Sequence, residues 1–265
     1  MDISEFRRLR ETSAYGRHPW EVARTGVMRR LLAKHIPIRP AQLVDIGSGD
    51  AYVINVALKH GIAQSYYAID IEYTPEIVAQ LKENNAHSEI DYYPTIQDFQ
   101  KAVKPSGDRL YLCMDVLEHL KNEGEVLDLI VPASGKAMAG GAATPGGEKT
   151  FYLFTVPAFQ SVFSSHDVLL GHYRRYTVRQ FRKLLESKGL EIIDSGYFFS
   201  SLLVARWFER KLFPKKEYSI DNWEGGPAKT RLLTAILKTD FFITNTLKKL
   251  GIRLPGLSCY CVCRL

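Results

Sequence analysis

A glycine-rich turn and an acidic residue beyond it carry the clearest chemical signal in this sequence. The turn is segment 45–51, DIGSGDA, and it follows a short apolar run. Glycines at such a position let the backbone bend sharply and approach a ligand without side-chain clashes. Asp70 ends the next apolar run, where a carboxylate can bind the hydroxyl groups of a ribose. A dinucleotide pocket would favour a GxGxxG pattern, so this spacing fits adenosine with an amino-acid tail better.

Histidines and acids in two other loops are candidates for a general base. Glu118 and His119 follow a predicted fourth strand, and His166, Asp167 and His172 follow a predicted fifth strand. An imidazole titrates near neutrality and can accept a proton from a reacting group. We take His166 with Asp167 as the first candidate and His119 as the second. Helix capping and loop hydrogen bonding account equally well for Glu118 and His119.

The same five side chains contain donor atoms for a metal ion. Carboxylate and imidazole together form a workable ligand set. Their spacing matches no standard local motif, so a metal is a minor alternative and we predict no metal ligand.

Two arginines flanked by tyrosines indicate recognition of an anionic group. Arg174 and Arg175 lie between Tyr173 and Tyr176, and guanidinium groups bind phosphate or carboxylate through paired hydrogen bonds. We expect one arginine to face an acceptor molecule and the other to be structural. The alternative is a pair of solvated charges flanking a helix. With His172, the predicted substrate-binding residues are His172, Tyr173, Arg174 and Arg175.

The segment near the N-terminus also carries polar and aromatic side chains, namely His18, Trp20, Glu21 and Arg24. One interpretation is a lid that folds over the ligand. The other is ordinary helix packing for Trp20, with a surface ion pair between Glu21 and Arg24. The sequence leaves both open.

Short apolar runs alternate with amphipathic helical patterns along most of the chain. This alternation favours a parallel sheet with helices on both faces. The predicted strands lie in QLVDI, SYYAIDIEY, EIDYY, DRLYLCM, TFYLFTVP, EIIDSGYFF and SCYCVCRL. Helices are predicted at VINVAL, PEIVAQLKEN and VRQFRKLLES, the last capped by Thr177 and ended by Gly189.

Three parts of the chain are predicted from these patterns. Residues 1–35 form an N-terminal helical cap, and residues 36–197 with 257–265 form the core. Residues 198–256 are too long for a hairpin loop and contain two helical patterns, so they form an inserted helical subdomain. The glycine- and alanine-rich segment 134–149 is predicted to be a flexible loop.

Composition and the distribution of apolar and basic residues argue against a membrane-spanning protein, a secreted protein and a nucleic-acid binder. The chain has 46% hydrophobic and 24% charged residues and a net charge of +6, which is ordinary for a globular protein. No apolar run is long enough to span a bilayer, and no secretory signal is visible. We therefore expect a cytoplasmic protein. The modest basic charge permits anionic partners, but it lacks the dense basic stripe of a nucleic-acid binder.

Three of the four cysteines alternate at the C-terminus, at Cys259, Cys261 and Cys263. Alternation places all three on one face of a strand. With Cys113, we expect them to be buried, reduced side chains. Metal binding by the three is a remote alternative, because no zinc-type spacing is present.

The glycine-rich turn and Asp70 resemble the motifs of class I S-adenosylmethionine-dependent methyltransferases. Asp45, Gly47 and Gly49 match the first motif of the family, and Ala51 replaces its third glycine. The resemblance implies that these residues and the residues near them bind S-adenosylmethionine. The implied cofactor-binding residues are Asp45, Gly47, Ser48, Gly49, Asp70, Ile71, Asp98 and Asp115, with Ile71 against the adenine, Asp98 near its amino group and Asp115 on the methionine side.

Other segments resemble one bacterial subfamily of these enzymes, often found with glycosyltransferases and surface-polysaccharide genes. HPWEVAR is similar to its HWWF-x-x-R segment, and MDVLEHL and SHDVLLGHYRRYT are similar to its later motifs. The matches span residues 17–200. Segment 134–149 replaces the usual RxLKPGG turn before the fifth strand, which puts the geometry of that loop in question.

The resemblance implies an α/β fold with a Rossmann-like seven-stranded methyltransferase sheet whose last strand is antiparallel. It also implies methyl transfer from S-adenosylmethionine to a hydroxyl or amine of a small or carrier-linked acceptor, with a sugar or glycan intermediate as the leading class. The alternatives are a non-catalytic protein that binds the cofactor or its product, and a nucleic-acid methyltransferase. The latter is disfavoured because CMDVLEHL stands where base-amine enzymes carry NPPY.

The insertion mixes aromatic and basic side chains. It could contact an anionic membrane at the inner face, or grip a lipid-linked acceptor. A substrate lid or dimer face with an ordinary apolar core side is the favoured interpretation. The residues concerned are Arg206, Trp207, Phe208, Arg210, Lys211, Leu212, Phe213, Lys215 and Lys216.

Overall fold

A computed structural model of the chain describes residues 17–84, 89–132, 148–212, 223 and 225–265. In these residues seven strands form one sheet. They are β1 Gln42–Ile46, β2 Ser65–Ile69, β3 Ile90–Tyr93, β4 Arg109–Met114, β5 Thr150–Pro157, β6 Glu191–Phe198 and β7 Ser258–Arg264. Their order across the sheet is β3-β2-β1-β4-β5-β7-β6.

Strand direction divides the sheet into two parts. Strands β1 to β5 pair in parallel with their neighbours, whereas β7 lies antiparallel between β5 and β6. Every residue of β1 and β4 is buried, because helices cover both faces of the sheet. The predicted seven-stranded sheet with an antiparallel last strand is confirmed.

Helices fill the connections between the strands. They are α1 Pro19–His35, α2 Tyr52–Lys59, α3 Pro75–Asn84, α4 Ile96–Ala102, α5 Glu123–Ile130, α6 Ser165–Leu169, α7 Val178–Ser187, α8 Ser200–Leu212 and α9 Gly226–Lys249. Helix α7 begins as predicted. The side chain of Thr177 accepts a hydrogen bond from the backbone N–H of Gln180, and the side-chain oxygen of Gln180 accepts one from the backbone N–H of Thr177.

The two faces of the sheet carry separate apolar clusters. One contains side chains of α1, α2, α3 and α9, such as Val27, Ile54, Ile77 and Phe241. The other contains side chains of α4, α5 and α7. Strand β7 contributes to both, since its alternate residues face opposite sides.

The cysteines of β7 lie as predicted. Cys259, Cys261 and Cys263 all belong to the second cluster, whereas Tyr260 and Val262 face the first. All four cysteines, including Cys113, are buried free thiols. Burial raises the pKa of Cys261 to about 12, so this thiol stays protonated and apolar.

The predicted insertion shares the core of the sheet. In α9, Leu237 and Phe241 join the first cluster, and the Thr234 hydroxyl donates to the Pro19 carbonyl at the start of α1, at 3.4 Å. The boundaries of the three predicted parts stay a prediction. Parts of them lie outside the described residues, namely 1–16, 85–88, 133–147 with most of the predicted flexible loop, 213–222 and 224.

No helix in the described residues combines the length and the hydropathy needed to cross a bilayer.

Candidate active site

The polar residues predicted from the sequence gather at one edge of the sheet. The order of the sheet reverses between β1 and β4, since β2 and β3 lie on one side of β1 and β4 and β5 on the other. Open α/β sheets bind ligands at this reversal, outside the carboxyl ends of the strands. The loops that follow β1, β2, β4 and β5 surround it.

The turn after β1 requires glycine at its first bend. Gly47 has φ +67°, and a Cβ there would lie 2.5 Å from a methyl carbon of Val116. The backbone N–H groups of Gly47 and Ser48 both donate to the carbonyl of Ile69, at 2.8 and 3.0 Å. The turn is therefore attached to the end of β2 and lies directly against the loop that follows β4.

Asp45 lies under this turn as a buried carboxyl group. Its Oδ2 accepts a hydrogen bond from the Ser48 hydroxyl at 2.8 Å. Burial raises the pKa of Asp45 to about 7, and the bond from Ser48 offsets only part of that shift. A positive charge placed above the turn would favour the ionised form.

Asp70 lies beside the turn, at the carboxyl end of β2, as predicted. Its Oδ2 accepts from the N–H of Gly49 at 2.9 Å, and its Oδ1 accepts from the N–H of Glu72 at 3.0 Å. The Tyr73 hydroxyl donates to the Gly49 carbonyl at 3.0 Å. Ile71 is 89% exposed at the same edge, and such an exposed aliphatic side chain can cover a flat ring.

Asp98 lies in the first turn of α4. The Thr95 hydroxyl lies 2.6 Å from its Oδ2 and accepts from its backbone N–H at 3.1 Å. Lys101 is 3.7 Å from the other carboxylate oxygen. These contacts start the helix, and the implied contact of Asp98 with an adenine stays a prediction.

Asp115 follows β4 with a left-handed backbone, φ +57°. Its Oδ1 accepts from the Thr155 hydroxyl of β5 at 2.9 Å, and its Oδ2 forms an ion pair with Arg24 of α1. Asp115 thus joins two strands and the N-terminal helix at the edge where ligands bind.

Helix α1 and the residues just before it place one arginine at the glycine-rich turn and another at the loop after β4. Arg24 pairs with Asp115, and Arg17 pairs with Asp50 of the turn. Glu21 is buried and lies 3.7 Å from Arg17. The alternative of a surface ion pair between Glu21 and Arg24 is wrong, because both residues are buried and Arg24 pairs with Asp115. Arg17 was missed, and only its position next to the HPWEVAR segment could have indicated it.

Asp167 is fully buried and anchors the loop after β5 through its hydrogen bonds. Its Oδ1 accepts from Arg175 Nε at 2.7 Å and lies 3.0 Å from His172 Nδ1, while its Oδ2 accepts from the Ser164 N–H at 2.9 Å. Burial alone would raise the pKa of Asp167, but the hydrogen bond from His172 and the charge of Arg175 hold it well below its usual range.

His166 lies half-buried on α6. Burial lowers its pKa, and the positive charge of Arg206 on α8 lowers it further. A neutral imidazole at physiological pH is a competent proton acceptor. Asp167 forms a hydrogen bond with His172 in this loop, and the joint role of His166 and Asp167 in accepting a proton stays a prediction.

The two adjacent arginines hold loops together. Arg174 pairs with Glu123 and donates to the carbonyl of Leu120 at 3.1 Å. Arg175 donates to Asp167 and, at 3.2 Å, to the carbonyl of Ala158. The expectation that one of them faces an acceptor stays a prediction.

The loops after β4 and β5 meet at a cluster of three side chains. The backbone N–H of Tyr173 donates to the carbonyl of Glu118 at 2.8 Å, while the Tyr173 side chain is exposed. Glu118, His119 and His172 each offer one ligand atom, and these atoms lie within 4.8 Å of one another. The two imidazole rings meet edge to face, with centroids 4.6 Å apart.

Glu118 is fully buried, and neither of its carboxylate oxygens has a hydrogen-bond partner among the described residues. Burial and the nearby charge of Asp115 raise the pKa of Glu118 well above its usual value. Glu118, His119 and His172 are three of the five side chains named above as possible metal donors, and the structure brings these three together. A separate cavity of about 460 Å³ lies between α7, β6 and α9 and contains none of these residues.

No protein-family model and no curated protein sequence matches the chain. Among solved structures, it is similar to phospholethanolamine N-methyltransferase 2 from Haemonchus contortus. The TM-score is 0.50 at 11% identity, covering 89% of this chain and 51% of that one. This likeness concerns the fold alone.

Two further similarities have lower scores. One is to N-methyltransferase NodS from Bradyrhizobium japonicum, with a TM-score of 0.48 at 14% identity over 93% of this chain and 88% of that one. The other is to a SAM-dependent methyltransferase from Archaeoglobus fulgidus, with a TM-score of 0.47 at 14% identity over 91% of this chain and 94% of that one. The sheet order with its antiparallel β7, together with the first likeness, defines the class I methyltransferase fold.

Proposed function

We propose that this chain is an S-adenosylmethionine-dependent methyltransferase. One observation carries the proposal: the glycine-rich turn lies at the reversal of the sheet and is attached to the ribose-binding candidate Asp70 through the Gly49 N–H. This arrangement gives close backbone approach to a ligand next to a carboxylate. The fold is the one expected for such enzymes, but a fold hosts many functions, so the site carries the argument.

The resemblance assigns a cofactor-binding role to each residue, and the place of the turn and of Asp70 at the sheet reversal supports the assignment. Asp70 would accept hydrogen bonds from the ribose, and Ile71 would cover the adenine. Gly47, Ser48 and Gly49 would border the amino-acid tail, with Asp45 beneath them. Asp98 and Asp115 complete the proposed set at its two ends.

The experiment is isothermal titration with S-adenosylmethionine. Each hydrogen bond to a charged group contributes about 1.5–3 kcal/mol, so Asp70→Ala should weaken binding by about 100-fold or more. Asp91→Asn, on the exposed side of β3, is the matched control and should bind normally. Near-normal affinity in the Asp70 variant would reject the proposed pocket.

Methyl transfer asks little covalent chemistry of the protein. The sulfonium of S-adenosylmethionine supplies an activated methyl group. This chain contributes proximity and orientation, and a base that takes the proton from a hydroxyl or amine acceptor. We propose His166 as that base, because its imidazole is neutral and lies on the loop after β5, and His119 as the second candidate.

His166→Ala should slow methyl transfer by about 100-fold, the lower range for loss of a general base, and leave cofactor affinity unchanged. His60→Asn, exposed at the end of α2, is the control. Unchanged turnover in the His166 variant would move the base to His119. Cofactor binding with no transfer to any hydroxyl or amine would favour a non-catalytic binding protein.

The acceptor class is the finer part of the proposal. A hydroxyl or amine on a small or carrier-linked molecule, with a sugar or glycan intermediate first, rests on the resemblance of the MDVLEHL and GHYRRYT segments. Transfer of labelled methyl groups to a panel of sugar nucleotides and lipid-linked glycans would test it. Labelling of RNA or DNA instead would favour the nucleic-acid alternative.

A further inference from the structure

A carboxylate buried without a partner is costly. Glu118 is fully inaccessible to solvent, and none of the described residues donates a hydrogen bond to either of its carboxylate oxygens. The two nearest arginines are already used, since Arg24 pairs with Asp115 and Arg175 with Asp167. A buried carboxyl group without a hydrogen-bond partner destabilises a fold whether it is ionised or protonated, so packing alone gives no reason for Glu118 at this position.

Two imidazoles lie within reach of that carboxylate. His119 is its chain neighbour, and His172 comes from the loop after β5, with all three ligand atoms within 4.8 Å of one another. Two donor atoms that share an ion at bonds near 2.1 Å lie at most about 4.2 Å apart, so these three atoms are close enough to bind one ion after small side-chain shifts.

One of these imidazoles, that of His172, is already oriented by a buried carboxylate. Asp167 Oδ1 lies 3.0 Å from His172 Nδ1, and Asp167 is itself held by Arg175 and Ser164. A carboxylate that holds one nitrogen of an imidazole orients the ring and leaves Nε2 as the ligand atom. This network explains why Asp167 is fully buried yet ionised.

We propose that Glu118, His119 and His172 bind a divalent transition-metal ion. One carboxylate and two imidazoles suit Mn²⁺, Fe²⁺, Co²⁺, Ni²⁺ or Zn²⁺ better than Mg²⁺ or Ca²⁺, which prefer oxygen ligands alone. Three protein ligands leave coordination positions open. The site differs from the sequence-based expectation of no metal ligand, because its donors come from two loops with no common motif.

The position of the site gives the ion a role that rests on the proposed methyltransferase function. Glu118 lies on the loop that begins with Asp115, on the proposed methionine side of the pocket. An acceptor hydroxyl on an open position of the ion would lose its proton more readily and be held for reaction. The acceptor would then be an oxygen nucleophile.

Metal binding is tested on untagged, chelator-treated protein without S-adenosylmethionine. Titration with Co²⁺, followed by calorimetry and by visible absorption, should give one ion per chain. Glu118→Gln and His172→Asn should each weaken binding by at least about 100-fold, and Asp167→Asn by about 10- to 100-fold. His60→Asn, with an exposed histidine outside the cluster, should bind as the unaltered chain does.

The folding of the variants provides a second readout. Glu118→Gln keeps the shape of the side chain and removes its charge, so without metal its Tm should equal or exceed that of the unaltered chain. Co²⁺ should raise the Tm of the unaltered chain but not that of the Glu118→Gln variant. A Glu118→Gln protein that loses Tm and still binds Co²⁺ normally would overturn the site.

The same measurements test the class of ion and the methyltransferase proposal independently of each other. Equal or tighter binding of Mg²⁺ than of Co²⁺ would overturn the transition-metal assignment. Absence of any ion binding, with normal binding of S-adenosylmethionine, would reject the metal site and leave the methyltransferase proposal standing. Ion binding without binding of S-adenosylmethionine would reject the methyltransferase proposal and leave the metal site standing.

Discussion

At the scale of single residues, Asp45 links the pocket to pH. Its pKa of about 7 in the folded chain lies above its ordinary value of 3.8. A folded-state pKa above the unfolded value means that the folded state holds the proton more tightly, so stability falls as pH rises from about 4 to about 7. The expected loss is about 4 kcal/mol, at 1.36 kcal/mol for each pKa unit.

Asp45→Asn should remove this slope, which urea unfolding at pH 5 and pH 8 would measure in both proteins. Asp91→Asn, an exposed acid on β3, should keep it. A slope equal in the Asp45 variant and the unaltered chain would mean that Asp45 does not titrate in this range.

At the scale of elements, helix α1 is held by its apolar side and by ion pairs, among them Arg24 with Asp115 and Lys34 with Asp194. Ala23, Val27 and Leu31 bury its apolar side in the first cluster, and Arg24 pairs with Asp115 beneath it. Removing one partner of a buried pair leaves the other uncompensated. Arg24→Met should therefore lower the free energy of unfolding by about 3 kcal/mol.

Urea denaturation would measure this change, with Arg29→Met on the exposed side of the same helix as the control. Because Asp115 keeps its bond from Thr155, the Arg24→Met, Asp115→Asn double variant should recover part of the loss. Equal stability of the Arg24 and Arg29 variants would show that the pair contributes nothing.

Local sequence signals predicted most elements well and a few poorly. Helix α7 and strand β7 follow from a capping box and from alternating cysteines, which are local patterns. Helix α4 and the short α6 were not predicted, because segments of five to seven residues carry too little periodicity. Each begins with a local cap, at Thr95 and Ser164, but a cap without a periodic apolar pattern does not identify a helix.

At the scale of the whole molecule, the exposed aromatic side chains of α8 are the candidate surface for contact with a membrane. Trp207 and Phe208 are each 51% exposed, beside the exposed Val204 and Leu212, and Lys211 lies 5.1 Å from the Trp207 ring. Peripheral contact of the insertion with an anionic membrane is one of the sequence-based alternatives, next to a lid or dimer face.

Co-sedimentation with vesicles of phosphatidylserine and phosphatidylcholine at low salt would decide between them. If the membrane alternative holds, the full chain should sediment with the vesicles, and Trp207→Ser, Phe208→Ser should reduce the bound fraction several-fold. Failure of the full chain to sediment would leave the lid and dimer-face alternatives.

The sequence by itself determined the parallel order of strands and helices, the glycine turn, Asp70 and the buried face of β7. Each depends on residues close together in the chain, whose spacing records the local conformation. Only the tertiary structure decided that Asp167 holds His172 rather than His166, that Arg24 reaches Asp115, and that Glu118 meets His172. These contacts join loops after different strands, and strand packing, which spacing along the chain does not record, sets the distance between those loops.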